Sequence, residues 1–323
     1  MKTCIVQIPS AKLACELYGE GDVTLVIEMG LGAATAEWRR LAQKLSEKHT
    51  VLLYQRAGYG NSSDSTLART PGNIALELQQ LLEQIPHGEK LTLLGHSQGG
   101  LYAWTFARNY PQAVERLILL DPLSPEDYRF RMELSDEEFK KSGADKTAGL
   151  RANLKLIRLH MGWLVKRMMA SAPPFYYDDR FSKADRKEIL DSLGKARTYK
   201  TALSEYACGH DLKALAGLLE ESETPMAPLT LVTHDSQLSI REIQQFGGAT
   251  QEQANKIEML WQEIMGAYLT CAGKGEYIRA EHSGHYIHLT DSDLVCKLVE
   301  AQSLRFRGRS PDAVKTPKSI RKA

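Results

Sequence analysis

The 323-residue chain is poor in the features that would make it something other than a water-soluble globular protein. It holds five cysteines, Cys4, Cys15, Cys208, Cys271 and Cys296, scattered and never spaced as C-x-x-C. An odd, dispersed set argues against a disulfide framework or a zinc site and points to a reducing, cytoplasmic compartment. No run of eighteen or more apolar residues exists, so no membrane span is expected. Residues 1–10 carry no long apolar stretch, so no signal peptide is expected there. Excess charge of one sign is also missing, the net being +1. That balance hides a basic end: residues 305–323 hold seven Lys/Arg against Asp312, with Pro311 and Pro317 and few apolar residues. Such composition cannot bury a core, and it reads as a disordered extension rather than a nucleic-acid arm. No H-E-x-x-H occurs, and His282, His285 and His288 are separated by Gly284, so no metal is expected.

What is present is an alternation of short apolar runs with amphipathic stretches. Strands are expected over 3–8, 12–18, 23–28, 50–54, 91–94, 117–120, 228–233 and 276–280, with helices near 36–47, 73–85, 101–107 and 249–272. Apolar strands joined through helices need right-handed crossovers and a mostly parallel sheet covered on both faces, an α/β doubly wound architecture. Residues 126–225 break the rhythm. They are charged and helical in pattern, with one helix expected over 151–169 and a stop at Pro173-Pro174. The organisation that follows is a core of residues 1–125 and 226–304, an inserted helical segment 126–225 and the basic tail 305–323.

The most informative segment is Gly95-His96-Ser97-Gln98-Gly99-Gly100. It joins the apolar run Leu91-Thr92-Leu93-Leu94 to the helical pattern beginning at Leu101. A strand that reverses into a helix this tightly strains its apex residue, and only glycine fits on either side. Ser97 at the apex is held clear of its neighbours, in front of a helix N-terminus that favours negative charge. This Gly-x-Ser-x-Gly turn resembles the nucleophile elbow of the α/β-hydrolase superfamily. Three further segments resemble that family in the same order. Met29-Gly30-Leu31-Gly32 resembles its His-Gly-x-Gly oxyanion loop, with Met29 in place of the histidine. Arg56-Ala57-Gly58-Tyr59-Gly60-Asn61-Ser62 resembles its Arg-x-Gly-x-Gly-x-Ser loop, and Ser283-Gly284-His285 its histidine loop.

The resemblance implies an α/β-hydrolase fold in which 126–225 is a helical cap, with Ser97 as nucleophile and His285 as base. The backbone N–H groups of Leu31 and Gln98 would receive the oxyanion. For the acid, Asp121 ends the strand after the elbow helix, where some members carry it. Asp235 lies near the commoner slot after the strand that follows the cap, and it stays open as the alternative. Glu28 either ends its strand or anchors the oxyanion loop through Arg56. Trp163, Met168, Phe175 and Tyr176 supply candidates for an apolar pocket wall.

A serine at the elbow argues against epoxide hydrolase and haloalkane dehalogenase chemistry, which needs a carboxylate there. The expected activity is a carboxylesterase-like serine hydrolase that cleaves a small apolar ester through an acyl-enzyme. Lactonase, thioesterase and cofactor-free perhydrolase remain alternatives, and a small-molecule receptor with a retained hydrolase pocket is the alternative of another class. The expected partner is a small-molecule acyl substrate, with no cofactor and no nucleic acid.

Overall fold

The computed structural model describes residues 1–178, 180–220, 226–272 and 275–301. The basic tail and residues 221–225 of the inserted segment lie outside the described residues. Eight strands form one sheet: β1 (Lys2–Gln7), β2 (Lys12–Tyr18), β3 (Val23–Glu28), β4 (Val51–Gln55), β5 (His87–His96), β6 (Val114–Leu120), β7 (Leu229–Thr233) and β8 (Gly275–Arg279). Their spatial order is β1-β2-β4-β3-β5-β6-β7-β8. Strand β2 runs antiparallel to β1 and β4, and every pair from β4 through β8 is parallel.

The inner strands carry continuous apolar runs because both faces of the sheet are covered there, while the edge strands β1 and β8 are largely exposed. Residues of β4 and β7 are buried without alternation. On one face the helices Pro71–Leu82 and Gln98–Asn109 pack with Leu78, Leu101, Trp104 and Phe106 in the core. On the other, Arg39–Leu45 and Ser292–Glu300 bury Leu41, Leu45, Val295 and Val299 beside Trp38. The chain passes from β3 to β4 on one side and then to β5 on the other. The order reverses at β3, and the loops leaving β3 and β5 meet over the sheet's C-terminal edge, where open α/β sheets bind ligands.

Between β6 and β7 the described residues form helices and no strand. The helix expected over 151–169 is in fact two, Thr147–Arg158 and Gly162–Met169. His160, at φ 59°, ends the first. Its N–H donates to Ile157 O and that of Met161 to Leu156 O, the paired bonds of a Schellman turn. Glycine usually signals that turn, and here histidine occupies its place. Helix Ala196–Cys208 from the same segment lies on the sheet's C-terminal edge, with Thr201 against Gly58. Trp163, Met168 and Tyr176 are exposed, and only Phe175 is buried, in an edge-to-face contact with Phe181. The first three therefore face solvent instead of lining a pocket.

Candidate active site at the sheet's C-terminal edge

Ser97 sits between β5 and its helix at φ 54° and ψ −128°, a backbone conformation that a non-glycine residue rarely adopts. Its side chain makes no capping bond to the helix, which leaves the hydroxyl uncommitted to the backbone behind it. The turn closes because the residues two positions away on either side, Gly95 and Gly99, have no side chains. A Cβ on Gly99 would stand 2.3 Å from Glu28 O and 2.4 Å from Met29 O, so the elbow and the β3 loop touch backbone to backbone. Gln98 is the first residue of the helix, where an N–H has no intrahelical acceptor.

The loop after β3 passes directly over this turn. A Cβ on Gly30 would lie 3.2 Å from His96 Nδ1 and 3.4 Å from Ser97 Cβ. Leu31 follows, so its N–H and that of Gln98 belong to two backbone segments flanking Ser97. Arg56 fixes the loop from behind: it donates to Met29 O at 2.5 Å and to Gly30 O at 3.0 Å. Of the two roles open to Glu28, the anchoring one has a geometric counterpart. Glu28 Oε2 lies 3.4 Å from Arg56 Nη1, and Tyr54 Oη donates to its other oxygen. Burial pushes the Glu28 carboxyl up to about 7 against the opposing pull of Arg56 and Tyr54.

Arg56 has a second carboxylate that the sequence did not suggest. Glu205, on the Ala196–Cys208 helix, accepts from Arg56 Nε at 3.1 Å and Nη2 at 2.9 Å, and from Tyr59 Oη at 3.0 Å. Arg69 adds a contact at 3.3 Å and continues to Glu77 at 2.6 Å. Glu205 is fully buried. Burial alone would raise its carboxyl, but Arg56 and Arg69 hold it below the usual carboxylate range. The backbone carbonyl of Glu205 also accepts from Gln98 Nε2 at 2.7 Å.

Asp121 leaves β6 at φ 47°, a second left-handed non-glycine residue at the same edge. Its Oδ2 is 2.6 Å from Nδ1 of half-buried His285. The structure thus brings Asp121 and His285 together. Asp235 does other work, since its Oδ1 accepts from Leu238 N at 2.9 Å and caps the helix Ser236–Gly247. The group that does turn from this loop toward Asp121 is His234. Its Nδ1 lies 2.8 Å from Asp121 Oδ1 and its backbone N–H donates to the same oxygen at 3.0 Å. His234 Nε2 meets Glu258 Oε2 at 3.0 Å. Burial alone would raise the Asp121 carboxyl, but the His234 charge and the bonds from His234 and His285 hold it well below the usual carboxylate range. Burial likewise opposes the charged His234, yet Asp121 and then Glu258 lift it to about 10.

Of the neighbouring histidines, His96 lies against the His285 ring, with centroids 4.7 Å apart. His96 Nε2 lies 2.9 Å from His285 O, and burial followed by the His285 charge lowers the His96 ring to about 3. His288 is buried and stacked on Trp38 with centroids 3.7 Å apart, while His282 is exposed.

The sheet order, the strained serine turn and the adjoining acid–histidine pair define an α/β hydrolase. The family model for the alpha/beta hydrolase fold matches residues 23–215, and the chain belongs to that family. Among curated proteins it is similar to the abhydrolase domain-containing protein abhd-5.2 of Caenorhabditis elegans, at 36% identity over 101 residues, or 30% of this chain and 23% of that one. It is also similar to the putative carbamate hydrolase RutD of Agrobacterium fabrum, at 29% over 141 residues, or 40% of this chain and 52% of that one. The chain thus matches between about a quarter and about half the length of these two relatives. Among solved structures, the epoxide hydrolase CorEH without ligand superposes with a TM-score of 0.63 at 18% identity, covering 92% of this chain and 96% of that one. At that identity the likeness speaks for the fold.

Proposed function

We propose that this protein is a serine hydrolase that cleaves a carboxylic ester or a related acyl substrate through a covalent acyl-enzyme. The observation that carries the reading is the 2.6 Å contact between Asp121 and His285 at the edge where the strained Ser97 turn emerges. In this reading Ser97 Oγ attacks the acyl carbon as His285 Nε2 takes its proton. Asp121 holds the imidazole by Nδ1–H and stabilises the imidazolium. The Gln98 and Leu31 N–H groups bind the oxyanion, each worth about 3–4 kcal/mol at the transition state. His285 then passes its proton to the leaving group, and water repeats the sequence to release the acid. Residues 126–225 act as the cap, with the Ala196–Cys208 helix over the site. Ser97 at the elbow favours acyl transfer over the epoxide chemistry named for the structural neighbour.

Labelling with a fluorophosphonate and a panel of p-nitrophenyl esters of rising chain length, with lactones and thioesters beside them, tests the reading. Wild-type protein should label at Ser97 and turn over at least one acyl class. Ser97→Ala should lose labelling and cut kcat by roughly 10⁶-fold with little change in stability, since the hydroxyl sits at a turn apex. Retention of a tenth of wild-type turnover would remove Ser97 from the mechanism.

A further inference from the structure

Asp121 is held from behind more completely than a structural aspartate needs. Oδ1 receives both the backbone N–H and the ring Nδ1 of His234, at 3.0 and 2.8 Å, and Oδ2 lies 3.0 Å from that same ring nitrogen. The Asp121 N–H is itself anchored on Val232 O at 2.7 Å, so β7 fixes backbone and side chain together. His234 faces a carboxylate at each ring nitrogen. A neutral imidazole has a single N–H donor, so two carboxylate partners select the doubly protonated ring. Glu258 is in turn braced by Gln262 Nε2 at 2.7 Å, and Gln262 Oε1 accepts from Tyr277 Oη at 2.7 Å. The Trp261 ring lies 4.1 Å from that of His234. The other ionisable groups facing this array are Glu242, bonded to Tyr177 Oη at 2.7 Å, on one side, and His96, Tyr286 and His288 on the other.

We infer that His234, backed by Glu258, is a positioning residue for the acid–base pair: it fixes the Asp121 carboxylate toward His285 and sets the charge that the base experiences. The inference rests on the serine-hydrolase reading above. His234 keeps both ring protons throughout. The proton that moves leaves Ser97 Oγ for His285 Nε2 and then goes to the leaving group. His234 therefore acts only through Asp121. In the commoner arrangement of the superfamily the loop after the strand following the cap supplies the acid. Here that loop supplies the group that holds it.

The charges of His234 and Glu258 are opposite, so their removal should move the pH dependence of Ser97 in opposite directions. The readout is the rate of fluorophosphonate labelling from about pH 5 to about pH 9, with p-nitrophenyl acetate hydrolysis beside it. His234→Asn keeps a donor near the Nδ1 position but loses the positive charge. It should slow labelling about 10- to 100-fold at neutral pH and move the acid limb of the profile up by about one pH unit. Glu258→Gln keeps an acceptor for Nε2–H and should slow labelling only a few-fold, about 3-fold, with the acid limb moved down. A merely structural ion pair would lower rate or stability in both variants without moving the limb. Folded variants with an unmoved limb overturn the inference, and if His234→Asn does not fold, an unmoved limb in Glu258→Gln overturns it alone. Wild-type protein that never labels at Ser97 overturns the serine-hydrolase reading and the inference with it. Normal wild-type labelling with His234 and Glu258 variants whose pH profiles match wild type overturns the inference and leaves that reading standing.

Discussion

Two polar networks lie near the sheet's C-terminal edge, and they are built from different chemistry. One joins Glu28, Arg56, Glu205, Arg69 and Glu77. The other joins His285, Asp121, His234 and Glu258. The first uses guanidinium groups, which never give up a proton in proteins and bind carboxylates through a rigid fork. The second uses imidazoles, whose two ring nitrogens can each meet a separate partner. Arginine suits a joint that must not change, and histidine suits a chain that links one carboxylate to the next through its two ring nitrogens. The first network holds the Met29 and Gly30 carbonyls in place, and the second joins the carboxylate that ends β6 to the histidines that follow β7 and β8.

The largest break in this comparison should come from Asp121. Asp121→Asn should lower kcat by roughly 10⁴-fold by favouring the wrong imidazole tautomer of His285. Asp235→Asn, two residues from the end of β7, should leave ester hydrolysis near wild type, because Asn serves nearly as well as Asp at a helix N-cap. Steady-state kinetics on the two variants checks both, and the reverse order would make Asp235 the acid.

The arginine network should fail differently. Arg56→Leu strands Glu205 and the Met29 and Gly30 carbonyls without their main donor. Removing one partner of a buried pair costs about 3–5 kcal/mol, so denaturant unfolding should show a loss of that size. Unchanged stability would mean that the fold does not depend on this joint.

A third, smaller effect separates the networks by pH. The His234 ring is raised from the usual imidazole value of 6.5 to about 10. Its stabilisation is complete below about pH 6.5, where both folded and unfolded chains hold the proton, and is lost as pH rises through about 10. The melting temperature should therefore fall across that window, and His234→Asn should flatten the slope. Smallest of all should be Trp163→Ala. The indole is 63% exposed, so stability should change by no more than about 0.5 kcal/mol and the ratio of long- to short-chain ester rates should hold.

Much of this architecture was legible in the residues, for identifiable reasons. The inner strands β3 to β7 could be read because strands buried on both faces carry apolar runs bounded by turn residues, while the largely exposed edge strands β1 and β8 were marked by their place at either end of the alternation. The Ser97 turn was legible because its residues are contiguous, with glycines at fixed offsets between an apolar run and a helical pattern. Asp121 could be picked out because it follows four apolar residues of β6 directly. His234, Glu258 and Glu205 could not, since each acts on a partner more than twenty residues away and no local spacing marks such a contact. The break at His160 escaped because histidine stands where glycine usually announces a left-handed turn. The outward face of Trp163 escaped because amphipathic periodicity in a helix does not say which neighbour covers which side.

Glu205 has one further consequence. Its carboxylate holds the arginine that grips the Met29 and Gly30 carbonyls, and its own carbonyl holds the side chain of Gln98. A single residue of the inserted segment therefore clasps both halves of the backbone cradle around Ser97. The segment is not an exchangeable module. A chimaera that replaces residues 126–220 with a foreign helical insert would leave Arg56 without its two-bond carboxylate partner, with Glu28 and the Met29 and Gly30 carbonyls remaining, unless the graft restores a carboxylate at that one point. New substrate preferences in this scaffold would have to be engineered around Glu205, with that residue left as the fixed pin that joins the inserted segment to the core.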